Sequence, residues 1–216
     1  MKTMKTVTTA ILLLITSLLY ANDDAYDKAM TNALTQLKEA SSLEELQSTA
    51  NSFARISKGV EGDWLAPYYQ TQCLVLMSFR EKEASKKDAY LNEAEVILEK
   101  LIISEGDNSE IYALQSLLYT ARLTVDPMNR GQEYMGLSGG AYRKALALNP
   151  TNPRALYLQL SNEVGMANFF NDDTSVYCDR IIDLYGHWNE YNQVDKFHPS
   201  WGLNQLEGLM QNCPSE

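Results

Sequence analysis

Metal-binding side chains are scarce in this 216-residue chain, which carries only two histidines and three cysteines. Zinc-type sites need three or four such groups converging on one point, so no metal site is expected. Basic side chains are also in deficit, 18 against 28 acidic, for a formal net charge of −10. Nucleic-acid affinity needs clustered Lys and Arg facing phosphates, and an anionic membrane surface makes the same demand; the sequence excludes both. Runs that alternate β-branched and polar residues are missing, which leaves an all-α fold class. What the chain does have is 45% apolar residues, enough to bury a core and too many for a disordered segment.

The apolar run Val7 to Leu19 follows Lys2 and Lys5 and ends at Leu19-Tyr20-Ala21, before the polar Asn22-Asp23-Asp24. A short positive region, an apolar stretch and a small residue at the edge make up a secretory signal. The run is shorter than the ~20 residues that span a bilayer, and no cysteine stands at the edge for a lipid anchor. Residues 1–21 are therefore expected to be removed. That leaves 22–216 as one exported, periplasmic domain without a stable membrane anchor. Removal takes two lysines and no acid, so the net charge moves from −10 to about −12,.

Export also bears on the cysteines, since disulfides persist in oxidising compartments. Cys73 lies in the apolar run Cys-Leu-Val-Leu-Met and reads as a small core residue,. Cys178 and Cys213 both lie in the C-terminal third and form the preferred pair, although spacing alone does not supply the required Cα separation,.

Past the signal the periodicity is helical. Asp24 to Ala40 places Ala25, Ala29, Met30, Ala33, Leu34 and Leu37 on one stripe,. Ser42 followed by Glu45 is a capping-box start for a helix from Leu43 to about Ser57,. A repeat then emerges. Ala94, Leu98 and Leu101 precede a breaker at Gly106, as Ser138, Tyr142 and Ala145 precede one at Pro150. The helices opening at Ser109 and Pro153 start 44 residues apart and both run to a Gln, Gln115 and Gln159.

The junction Ala145-Leu-Ala-Leu-Asn-Pro150-Thr-Asn-Pro-Arg-Ala155 and the aromatic Tyr119 resemble the tetratricopeptide-repeat (TPR) family,. The stretch from Tyr119 to Gly131 resembles secreted bacterial members of unassigned activity, as do Trp64 with Pro67-Tyr68-Tyr69 and His198-Pro199-Ser200-Trp201-Gly202. The period of 44 departs from the family's usual ~34, and the Trp and Gly of its first helix are absent,. The resemblance implies a right-handed solenoid of about four helical hairpins, a concave face lined by first helices, and a C-terminal capping helix from Trp201 to Gln211.

Several motifs touch on chemistry. Gly136-Leu-Ser138-Gly-Gly140 matches the nucleophile-elbow pattern, with His187 and His198 downstream. The strand it requires is missing upstream, so Ser138 reads as a helix cap and no catalytic residue is assigned. Asp126 to Leu137 reads as a long inter-helix loop. There Arg130, beside Asp126 and Tyr134, either clamps a ligand or pairs with a nearby carboxylate,. Asp172-Asp173-Thr174-Ser175 reads as the cap of a helix Val176 to Leu184, and the aromatic tail around His187-Trp188 and His198 to Trp201 as packing on the last hairpin. Lys82 to Lys87 is a solvated turn of mixed charge.

Candidate partner-binding positions are Tyr69, Gln72, Tyr112, Gln115, Tyr119, Arg122, Arg130, Tyr134, Tyr157 and Gln159. Tyr and Gln stack and hydrogen-bond at low entropy cost, though the same rings also serve to fill helix seams. The leading expectation is a non-enzymatic scaffold that takes a protein or peptide in its concave groove, with no cofactor. The alternative is a small-molecule or glycan receptor using the Tyr/Gln face and the 126–137 segment.

Overall fold

A computed structural model describes residues 24–192 and 195–213, all of it helical or irregular. The expected signal, residues 1–21, lies outside the described residues. Helix α1 covers residues 24–39, and α2 follows as Leu43–Gly59. The capping box at this junction is present in both directions: the Ser42 hydroxyl accepts from Glu45 N, and the Glu45 carboxylate accepts from Ser42 N. Hydrogen bonds from the backbone and hydroxyls of Ser41 and Ser42 hold the Glu45 carboxyl down at about 2.

Helix α3 (Leu65–Arg80) is the centre of the first core. Its start is tied by Asp63, which accepts from Leu65 N, Ala66 N and the Tyr26 hydroxyl of α1. Tyr68, Tyr69, Cys73, Leu74, Val75 and Met77 are all buried. The helices that follow are α4 (Ala84–Ser104), α5 (Ser109–Val125), α6 (Pro127–Leu148) and α7 (Pro153–Phe170). A short 3-10 turn, Ser175–Tyr177, leads to α8 (Cys178–Tyr191) and α9 (Leu203–Met210). Asp173 caps that turn by accepting from Ser175 N and Oγ, one element earlier than the sequence pattern suggested.

Three expectations are corrected here. Asp126 to Leu137 is not a loop. Asp126 is the N-cap of α6, accepting from Asn129 N, with Pro127 at the first helical position, where proline is pre-organised,. Ser138 is therefore not a cap but a mid-helix residue, 1% exposed. Its hydroxyl lies 2.9 Å from Ser116 Oγ and 3.1 Å from Thr120 Oγ1 and accepts from Asn162, which pins α6 to α5 and α7.

The third correction is the regular solenoid. In a solenoid each unit touches only its neighbours. Here the segment 195–202, called the strap below, returns from the C-terminal helices to the first ones. Tyr69 donates its hydroxyl to Phe197 O across 128 residues, and Trp201 Nε1 donates to the Tyr68 hydroxyl across 133. Phe197 belongs to the core of α1 to α5, while Leu160, Val164, Ile181, Leu184, Trp188 and Leu206 form a separate C-terminal core. Of the aromatic tail expected to pack on the last hairpin, Trp188 does lie in the C-terminal core, whereas the strap with His198 and Trp201 crosses to the first helices.

Cys178 and Cys213 are disulfide-bonded with Cα atoms 5.6 Å apart, which joins the start of α8 to the end of α9. Cys73 is a buried free thiol, and burial pushes it up to about 12. Among the described residues no helix is long and apolar enough to cross a membrane.

Candidate functional site

The strap makes a cleft of about 640 Å³ with α1 and α3. The amphipathic stripe of α1 contributes Leu34 and Leu37, and α3 contributes Tyr69, Gln72 and Leu76 at helical spacing,. The strap and the start of α9 supply Phe197, Trp201 and Leu203. Two exposed lysines border the cleft. Lys196 pairs with Asp27 at 2.6 Å and lies over the Phe197 ring, whereas Lys38 has no ion-pair partner among the described residues.

The strap's path depends on a glycine. Gly202 has a φ of +112°, and a Cβ there would lie 2.7 Å from Trp188 Cη2. That ring is buried in the C-terminal core, so it has little room to yield. Gly202→Ala is expected to cost about 1–3 kcal/mol from backbone strain and the clash together, read as a lowered urea midpoint. An unchanged midpoint would remove the steric argument.

Beneath the strap lies a buried ionic network. Arg154 of α7 is 1% exposed. Its guanidinium pairs with the buried Glu110 carboxylate of α5, with Nη2 at 2.7 Å from Oε1, and Nη1 donates to Asn192 Oδ1 at 2.7 Å. Asn152 Nδ2 donates to Glu110 Oε1 at 2.8 Å and to Ser109 Oγ at 2.9 Å. His198 of the strap places Nε2 3.2 Å from Arg154 Nη2 and 3.5 Å from Glu110 Oε1. Burial by itself raises the Glu110 carboxyl. The His198 ring and the Arg154 guanidinium outweigh that through hydrogen bonds and charge, and hold it below the ordinary carboxylate value,.

Of the ten positions singled out from the sequence, the structure brings Tyr69 and Gln72 to the cleft. Tyr69 is 4% exposed, stacked on Phe53, and its hydroxyl is committed to the strap. The other eight serve helix seams and turns. Arg122 is buried against Asp88, Asn92 and Glu95 of α4, and Arg130 grips both Asp88 oxygens at 2.7 and 2.8 Å. The Arg130 hydrogen bond, with Arg122 behind it, lowers the Asp88 carboxyl; of the two readings of Arg130, this is the carboxylate pair.

Tyr119 packs on Tyr134 with ring centroids 6.1 Å apart, and Gln115 Nε2 reaches the Tyr119 hydroxyl at 3.5 Å. Tyr112 donates to Gly106 O, Gln159 donates to Glu163, and Tyr157 fills the seam between the α5–α7 contact and the C-terminal core.

Sequence reasoning passed over Arg154 and Glu110, Lys38, and the strap's part in the cleft. One signal for the ion pair was present: Glu110 and Arg154 occupy the same position in units 44 residues apart, with opposite charge. Nothing local marked the strap as a wall for α1 and α3.

Two further hollows differ in chemistry. One of about 950 Å³ is bordered by Glu105, Asp107, Glu110, Glu190 and Asp195, an acidic mouth. The other, of about 470 Å³, lies between α7 and α8 beside Asp179, Asp183 and Arg180. Only the strap cleft among these combines a leucine floor, aromatic walls and lysines at the mouth. That arrangement suits an apolar ligand carrying negative charge. Among the described residues no cluster of His, Cys, Asp and Glu is placed to hold a metal ion.

The fold is similar to a solved structure, the HusA haemophore from Porphyromonas gingivalis, with a TM-score of 0.75. The two chains are 31% identical over 87% of this one and 92% of that one. No protein-family model and no curated protein matches the chain. The likeness to an all-α haemophore overturns the TPR resemblance. With it go the solenoid of regular hairpins and the generic protein- or peptide-binding scaffold drawn from that resemblance. The non-enzymatic and exported character expected of the chain agrees with that likeness.

Proposed function

The chain belongs to the HusA haemophore family, and on that premise we propose that it is an exported haem-binding protein, active in the periplasm once residues 1–21 are removed. Likeness to a haemophore over nearly the whole of both chains is the observation that carries this reading. It favours the small-molecule alternative, relocated from the 126–137 segment to the strap cleft.

The cleft's chemistry supports the assignment. Haem is a flat apolar macrocycle with two carboxylates on one edge. Leu34, Leu37, Leu76, Leu203, Phe197 and Trp201 supply apolar surface for the ring, and such burial contributes about 25 cal/mol per Å². Lys38 supplies positive charge at the mouth of the cleft on an otherwise acidic protein, with Lys196 beside it already paired with Asp27,. The acidic mouth of the 950 Å³ hollow would repel the same carboxylates.

Tyr and His are side chains of the kind that ligate haem iron. Tyr69 and His198 border the cleft, but both are engaged, Tyr69 with Phe197 O and His198 with the Arg154–Glu110 pair. Affinity here is therefore assigned to contacts with the macrocycle and its carboxylates.

Titration of residues 22–216 with haemin, followed by absorbance, tests the assignment. Saturable one-to-one binding is expected. Lys38→Glu, an exposed change, is expected to weaken it about three- to tenfold at low salt and less at high salt. Leu37→Gln is expected to weaken it about tenfold or more. Absence of a spectral change in the unmodified protein, or full binding by both variants, would sink the proposal.

A further inference from the structure

One buried acceptor in the cleft has no partner. Gln72 is 6% exposed, lines the cleft floor, and its Oε1 is sealed from solvent without a hydrogen-bond partner among the described residues. Buried polar groups are nearly always satisfied, and an orphaned acceptor carries its full desolvation penalty. The neighbouring hydroxyls on α3 and at its contacts are already committed. Tyr69 donates to Phe197 O, Thr71 to Pro67 O and Ser78 to Val75 O.

Tyr69 and Leu76 flank Gln72 on the same helix face, and Leu34 and Leu37 line the cleft with it, while Thr31, Thr35, Ser200, Asn204 and Gln205 add polar groups elsewhere in the lining.

We propose that Gln72 is a specificity-determining contact: a turn of its amide brings the oxygen to the cleft, where it accepts a hydrogen bond from an O–H or N–H of the bound ligand. The inference rests on the strap cleft being the ligand site. It adds that the ligand must present a donor to the floor, so a purely apolar ring of the same shape is disfavoured. A porphyrin has two donors of this kind: the O–H of a protonated propionic acid, whose neutral form is favoured by burial, and the inner N–H of a metal-free macrocycle.

Haemin, metal-free protoporphyrin and its dimethyl ester separate these sources when titrated into the unmodified protein and Gln72→Met. The variant is expected to bind the donor-bearing ligands about fivefold more weakly. Its melting temperature is expected to be equal or higher, because the orphaned acceptor is gone. A penalty seen with haemin that vanishes with the ester assigns the donor to the carboxylic acid. A penalty seen with metal-free protoporphyrin and its ester but not with haemin assigns it to the ring N–H.

If Gln72→Met binds all three like the unmodified protein while Leu37→Gln loses haemin, the cleft assignment stands and the Gln72 proposal falls; a bound water is then the partner of Oε1. If the unmodified protein binds none of the three, the haem-binding reading fails, and the Gln72 proposal fails with it.

Discussion

Replacing Arg154 by methionine is expected to cost about 3–5 kcal/mol of folding stability, because it leaves a carboxylate buried without its counter-charge. Glu110 is 4% exposed and receives two hydrogen bonds from the guanidinium. Asn152 also donates to it, but brings no charge. The loss should appear as a lower urea midpoint and a melting temperature reduced by roughly 10 °C.

The double replacement Arg154→Met with Glu110→Leu removes both charges and is expected to recover much of the loss. The pH dependence has a definite sign. The folded Glu110 carboxyl lies below its ordinary value, so its contribution is fully present above the unfolded carboxylate value. It is lost as pH falls through the folded one. In Arg154→Met the unpaired carboxyl is raised by burial instead, so the gap to the unmodified protein is widest near neutral pH and narrows in acid. A gap independent of pH would show that the stability loss comes from packing of the long side chain and not from its charge.

Loss of the Cys178–Cys213 disulfide is expected to have the next largest effect. The bond closes a separation of 35 residues, which on the chain-entropy account is worth about 2–4 kcal/mol. The Cys178→Ala, Cys213→Ala variant and the reduced protein should lose similar amounts, since Cys73 is buried and free in both. One free thiol is expected in denaturant before reduction and three after it.

A functional consequence follows, because Leu203, Asn204 and Gln205 at the head of α9 form part of the cleft wall. Freeing the far end of α9 loosens that wall, so haemin affinity should fall together with stability. Three free thiols without reductant would refute the bond, and intact affinity after reduction would separate α9 from ligand binding.

Much of the local structure was legible. The Ser42–Glu45 box announced α2, and the stripe of Met30, Ala33, Leu34 and Leu37 announced α1. Both signals act within one or two helical turns, where the physics is local. The segment 126–137 was misread as a loop because a period of 44, against the family's usual ~34, implied an insertion between helices,; helix α6 in fact runs through Gly131, Gly136, Gly139 and Gly140. Each glycine costs a helix about 1 kcal/mol, and the packing of α6 on α5 and α7, with the Ser116–Ser138–Asn162 hydrogen bonds, outweighs that cost.

The spacing of 44 residues placed the starts of α5 and α7 where the structure has them, but such a spacing does not say how the helices assemble or whether the end of the chain stays open.

The sequence by itself determined an all-α, acidic chain with a disulfide-competent pair of cysteines, because helix periodicity, capping and charge are properties of short stretches. Only the tertiary structure decided where a ligand could sit. The cleft exists because residues 195–202 cross to helices more than 120 positions earlier, held by Tyr69, Tyr68 and the clearance at Gly202. Such a closure gains its energy from contacts between segments that carry no matching pattern, and loop closure over that distance adds only a slowly growing entropic cost.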